Sequence, residues 1–266
     1  MKITRKYKEN VSCLMQIAMC FLFKIAHLIF RNKKNNYDVL CLVDRIGYGG
    51  VERHALNMID YCASRNLKLA LLLDKEKSVV NNYGDYKNRA DIYDRDKDCI
   101  LRKLINKLTF DQCGDLYDIA KLNPKTIIVE QPYAIHLWAF ILPCKIIYVN
   151  HTSPQEKLNP FFSYILNKLL SEHKVIITVS NFSKNSILNH WQIGKQNEKI
   201  HVIENYALDS HIRHDKKNDK MILTVGRFEK WTKGVKTWFQ IAESVLSVNG
   251  NMQFQWVGGN ADNPEY

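Results

Sequence analysis

The feature that most constrains this chain is a change of rhythm at Tyr37. From that point short runs rich in Val, Ile and Leu alternate with longer stretches of helical period. Runs so short and so evenly apolar suit strands covered on both faces, and strands separated by helices pair in parallel. The pattern predicts strands at Asp38–Val43, Lys68–Leu73, Thr126–Val129, Lys145–Val149, Val175–Val179 and Ile200–Ile203. Helices are expected at Val51–Ala63, at Ile100–Leu122 with a break at Gly114, at Phe161–His173 and at Phe182–Trp191. Residues 75–98 are polar and charged without period, which reads as loop or short irregular elements. The expectation is an α/β chain whose parallel sheet carries helices on both faces.

A polar stretch, Ser210–Lys220, then interrupts the rhythm, and the pattern restarts with strand Met221–Val225, helix Lys233–Val248 and strand Gln253–Val257. Two strands and one helix are too few to cover their own apolar faces. The expected domains are therefore 37–209, a linker at 210–220, and a partial second domain at 221–266.

Residues 1–36 read differently. Sixteen of the twenty residues from Val11 to Phe30 are apolar, and Ser12, Gln16, Lys24 and His27 fall within roughly 120° of one another on a helix. Lys2, Arg5, Lys6, Lys8, Lys24, Arg31, Lys33 and Lys34 stand against Glu9 alone, so this segment holds +7 of the formal net charge of +11. A narrow polar stripe with basic flanks predicts a helix lying in the plane of an anionic membrane surface, at the cytoplasmic face. A spanning helix and a helix packed on the protein itself are the alternatives. Charge concentrated beside an apolar stretch, rather than spread over a folded face with interleaved aromatics, argues against nucleic acid as a partner. The seven cysteines include no CxxC pair and no histidine at ligand spacing, which points to reduced thiols and to no metal site.

Three segments carry chemistry. The strand at Asp38–Val43 leads into Gly47, Gly49 and Gly50 at its carboxyl end, where glycine lets backbone N–H groups approach an anion and the following helix adds its dipole. The alternative is a tight turn that needs glycine for itself. The third glycine of a dinucleotide fingerprint is missing, and Asp74 is the one candidate for a ribose-binding acid, which disfavours a dehydrogenase. His151 directly follows a strand at the same edge, placed to hydrogen-bond a hydroxyl or phosphate, although a lone histidine is commonly structural. Finally, Gly226-Arg227 ends a strand and Lys233-Gly234 opens a helix, so two cations gather at one strand edge. Preorganised cations stabilise a departing diphosphate without a metal.

Taken in order, G-G-V-E-R at 49–53, H-T-S-P at 151–154, I-T-V-S-N-F-S at 177–183, V-I-E-N at 202–205, V-G-R…K-G at 225–234 and W-V-G-G at 256–259 resemble the retaining GT-B glycosyltransferases of family 4 (glycosyl transferases group 1). The resemblance implies two Rossmann-like domains, the amino-terminal one for the acceptor and the carboxyl-terminal one for a nucleotide-diphosphate sugar. It implies transfer of a hexose-type sugar to an acceptor hydroxyl with retention, and no metal or other cofactor. By the same resemblance Gly49 and Gly50 lie beside the donor phosphates, and His151 hydrogen-bonds the sugar or acceptor. Arg227 and Lys233 neutralise the diphosphate, Asn205 forms an interdomain turn, and Gly258 and Gly259 approach the nucleotide. Arg227 and Lys233 are six residues apart, a departure from the family spacing. The family's glutamate pair, E-x7-E, does not occur after Arg227, so a carboxyl-terminally truncated enzyme is expected. The expected setting is cell-envelope polysaccharide, lipopolysaccharide or lipid-linked glycan synthesis, with a membrane-borne acceptor. An inactive truncated product, a non-catalytic membrane-bound subunit, and a sugar-nucleotide epimerase on the same scaffold are the rival readings.

Overall fold

A computed structural model describes residue 18 and residues 36–47, 49–78, 84–95, 100–109, 114–130, 137–154, 156–194, 197–205, 220–226 and 234–258. The expected anchor at 1–36 and the linker at 210–220 lie almost wholly outside them. Among the described residues no helix is long and apolar enough to cross a membrane. The chain divides into two compact units, Met1–Tyr206 and Ala207–Tyr266.

The first unit is built on a seven-stranded sheet in the order β3-β2-β1-β4-β5-β6-β7. Its strands are β1 (Tyr37–Val43), β2 (Leu69–Leu73), β3 (Asp91–Asp94), β4 (Pro124–Glu130), β5 (Lys145–Asn150), β6 (Lys174–Thr178) and β7 (Ile200–Val202). Every pairing is parallel. The order turns back on itself at β1, with β2 on one side and β4 on the other. The strand order therefore reverses beside β1, and open α/β sheets place ligands outside the carboxyl ends of the strands at such a point.

Alternation along the strands explains the two-sided core. Val39, Cys41 and Val43 of β1, with Leu69, Leu71 and Leu73 of β2, face α1 (Gly50–Ser64) and meet its Ala55, Leu56, Ile59 and Cys62. Leu40, Leu42, Ala70, Leu72, Ile127, Val129, Ile146 and Tyr148 point the other way. They pack with Leu116, Ile119 and Leu122 of α3 (Asp115–Leu122), Ala139 and Phe140 of α4 (Leu137–Ile141), Leu166 of α5 (Pro160–Leu169) and Ile187 of α6 (Asn181–His190). Ile105 of α2 (Ile100–Thr109) joins this second face. Truncating a core leucine or phenylalanine to alanine costs about 2–5 kcal/mol.

Three elements depart from the sequence expectation, one of them α4, a short helix where the pattern predicts none. Among the described residues of 75–98 a 3₁₀ turn at Gly84–Tyr86 fits the expected irregular structure, whereas β3 is a strand of the sheet. The strand D-I-Y-D pairs on one side only, so it lacks the apolar run that marks a central strand. The helix expected to reach His173 ends at Leu169, because Leu170 turns extended and Ser171 bridges back to Lys174.

The second unit is a βαβ arrangement of β8 (Met221–Val225), α7 (Val235–Val248) and β9 (Gln253–Val257), with β8 and β9 parallel. Trp238 of α7 organises it. Its indole N–H donates to Thr224 Oγ1 at 2.7 Å, and its ring meets Phe254 and Trp256 edge-on.

Candidate functional site

The carboxyl edge of the first sheet gathers polar side chains that the core would not tolerate unpaired. Glu130 ends β4, and its neighbours in register are Val43 of β1 and Val149 of β5. It is fully buried, as is Thr178 at the end of β6, while Asn150 at the end of β5 is nearly so. A buried carboxylate without partners is untenable. Glu130 has two. His54 Nδ1 lies 2.8 Å from Oε1 and His151 Nε2 lies 2.6 Å from Oε2, so one carboxylate holds two imidazoles. The rings stand edge to face with centroids 5.3 Å apart.

The local sequence positions each member. Asn150 Oδ1 accepts from Thr152 N at 3.0 Å and turns the chain directly after β5, which sets His151 at the edge. The loop is pinned from below by α6: Ser183 Oγ donates to the Thr152 carbonyl and Ser186 Oγ to the Pro154 carbonyl. Ser180 caps that helix by accepting from Ser183 N. The motif at 177–183 thus serves as the support for the His151 loop. His54 comes from the second turn of α1, whose start is the glycine segment.

Burial works against the charge on Glu130. The hydrogen bonds from His151 and His54 more than offset it and hold the carboxyl below the ordinary range. The same hydrogen bond raises His54 above the ordinary imidazole value, against the opposing effect of its partial burial. His54 is the accessible member, with 30% of its side chain exposed against 5% for His151.

The glycines behave as space rather than as turn-formers. Among the described residues only Gly234 and Gly258 are glycines with positive φ, so Gly47, Gly49 and Gly50 need no left-handed backbone. A Cβ at Gly50 would meet nothing within 4 Å, whereas one at Gly49 would come within 2.2 Å of the Glu52 carboxylate. The loop is tied down by Arg95. Its Nη1 donates to the carbonyls of Val43 and Asp44 at 2.8 and 3.0 Å while Nε pairs with Asp115 at 3.0 Å. Arg102 joins the same carboxylate at 2.8 Å and also binds Asp118.

His54, Glu130 and His151 offer three donor atoms within 4.8 Å of one another, a set that would accept a divalent transition metal. Of the residues proposed from sequence, the structure places Gly49, Gly50 and His151 on one sheet edge. Arg227, Lys233 and Gly259 lie outside the described residues. Gly258 belongs to the second unit, at φ +104°, where a Cβ would come within 2.7 Å of the Gly226 carbonyl. Sequence reasoning missed Glu130 and His54. A carboxylate ending an apolar strand was the available signal for the first.

A protein-family model for Glycosyltransferase Family 4 matches residues 48–206, more than half of the chain, and this range contains Gly49, Gly50, His54, Glu130 and His151. The chain belongs to that family. Its fold is similar to a glycosyltransferase from Rickettsia africae, at 16% identity and TM-score 0.56, covering 86% of this chain and 70% of that one. It also resembles Anabaena HepE, crystallised with UDP and glucose, at 15% identity and TM-score 0.50, covering 85% and 70%. No curated protein sequence matches. Family membership places the glycine segment, His54, Glu130 and His151 within one glycosyltransferase domain.

Proposed function

We propose that this protein transfers a hexose from a nucleotide-diphosphate donor to an acceptor hydroxyl with retention of configuration, on a GT-B scaffold. The observation that carries the reading is the family match over 48–206, which contains Gly49, the open Gly50 and the paired imidazoles on one sheet edge. In this reading the amides at Gly49 and Gly50 approach the donor phosphates, and the helix dipole of α1 favours their charge. His151 binds a hydroxyl of the reacting sugar or of the acceptor. Arg227 and Lys233 neutralise the leaving diphosphate, with Gly258 and Gly259 beside the nucleotide. The charge on the diphosphate is met by protein cations and amides, so a metal has no part in the transfer. HepE, of similar fold, binds UDP and glucose, which makes UDP-glucose the first donor to try.

The acceptor is a membrane-borne glycan or glycolipid of the cell envelope, met at the cytoplasmic face. The basic amino-terminal segment supports that choice through its attraction to anionic lipid. The test incubates purified protein with UDP-, GDP- and ADP-hexoses and extracted envelope glycolipids, and follows nucleoside diphosphate release with the lipid product. Proton NMR of the new anomeric centre reports retention. Nucleoside diphosphate formed with none of these donors, with or without lipid, would sink the reading.

A further inference from the structure

Glu130 contributes two oxygens and no proton to its hydrogen bonds, because an ionised carboxylate only accepts. It therefore requires a proton on His54 Nδ1 and on His151 Nε2, the two nitrogens that face it. A neutral imidazole carries one proton, so both tautomers are set by the same carboxylate. The opposite nitrogens, His54 Nε2 and His151 Nδ1, have no hydrogen-bond partner among the described residues. The two rings sit edge to face at 5.3 Å, and His54 is the more open of the pair.

We infer that His54 is a second ligand-contacting residue, binding a sugar hydroxyl through Nε2, and that Glu130 is the positioning residue which orients both imidazoles. The inference rests on the sugar-transfer reading for its ligand and on geometry alone for the role of Glu130. A hydroxyl suits His54 in either protonation state, since it accepts from an imidazolium and donates to a neutral ring. A non-ionised partner such as a glutamine cannot replace the carboxylate. Its carboxamide offers one acceptor oxygen and one donor nitrogen, so one of the two rings must turn or change tautomer.

Two measurements test this, and they fail separately. In His54→Asn the amide nitrogen keeps the donor position of Nδ1 toward Glu130 while the outward nitrogen is deleted. The expected result is a melting midpoint within about 2 °C of wild type and a kcat/KM for UDP-glucose roughly tenfold lower, the loss of one hydrogen bond. An unchanged kcat/KM in a folded variant overturns the role of His54. The second measurement needs no activity: long-range nitrogen-15 spectra of histidine-labelled protein, recorded at high pH where the rings are neutral. Wild type should show a Nδ1–H tautomer for His54 and a Nε2–H tautomer for His151, with at least one altered in Glu130→Gln. Opposite tautomers in wild type, or both unchanged in the variant, overturn the role of Glu130.

Discussion

His54 and His151 come from different elements, a helix after β1 and a loop after β5, yet each occupies its own oxygen of Glu130 at 2.8 and 2.6 Å. That shared carboxylate links the glycine-led helix to the loop that closes the far side of the site. A change at any one of the three is therefore felt at the other two.

The first consequence is a pH dependence of stability. His54 is raised above the ordinary imidazole value of 6.5, the hydrogen bond to Glu130 being the main cause. Its contribution is complete below the unfolded value and is lost as pH climbs through the folded one. Wild-type stability should therefore decline from about pH 6.5 upward, with a slope of at most about 1.4 kcal/mol per pH unit from this group. Glu130, held low, works in the opposite sense and loses its contribution only under acid conditions, as pH falls through its folded value. Urea denaturation from pH 5.5 to 9 checks this against Glu130→Gln, in which the decline above pH 6.5 should flatten.

The fold was legible in the sequence wherever burial was two-sided. β1, β2, β4, β5 and β6 announce themselves as apolar runs, and their register follows from one residue alternation. β3 escaped because D-I-Y-D is short and carries an exposed aspartate at each end, so it presents no apolar run. The site was half legible. His151 shows itself by following a strand directly, and the glycines by their cluster. His54, by contrast, sits 97 residues from His151 in the chain, and only the sheet order brings β1 and β5 to either side of β4. No local spacing in the sequence encodes that meeting.

Arg95 should matter more than its distance from the reacting groups suggests. It is nearly buried, and one guanidinium serves Asp115 and the carbonyls of Val43 and Asp44 at the start of the glycine loop. Arg95→Ala leaves a buried carboxylate partly unpaired and frees the loop. The expected cost is about 3–5 kcal/mol in urea denaturation. Arg95→Lys should recover part of the stability and little of the loop order, because an ammonium lacks the planar fork.

Gly50 separates stability from binding. It opens α1 without positive φ, and the space beside it is empty. Gly50→Ala should stabilise the protein by about 0.5–1 kcal/mol through loss of chain entropy in the unfolded state. Gly50→Phe should fold equally well yet weaken donor binding at least tenfold, because the ring fills the volume assigned to the donor phosphates. Calorimetric titration with UDP-glucose reads the second effect and thermal unfolding the first. Undiminished binding by Gly50→Phe would place the donor elsewhere.

Zinc should act as an inhibitor and not as an activator. The three donor atoms of His54, Glu130 and His151 lie within 4.8 Å, close enough to converge on one ion. To bind it, each imidazole must turn an unprotonated nitrogen toward the ion, and His54, whose imidazolium form the hydrogen bond to Glu130 favours, must first lose a proton, so affinity should rise with pH. An ion seated there turns the rings from the orientation a hydroxyl requires. Micromolar Zn²⁺ should lower transfer activity, more at pH 8 than at pH 6, and a chelator should restore it. Dialysis against chelator alone should leave activity unchanged. In Glu130→Gln the inhibition should weaken by at least tenfold, since a neutral amide is a poor zinc ligand beside a carboxylate. Activation by zinc, or activity lost on chelation, would instead assign the three residues to a resident metal.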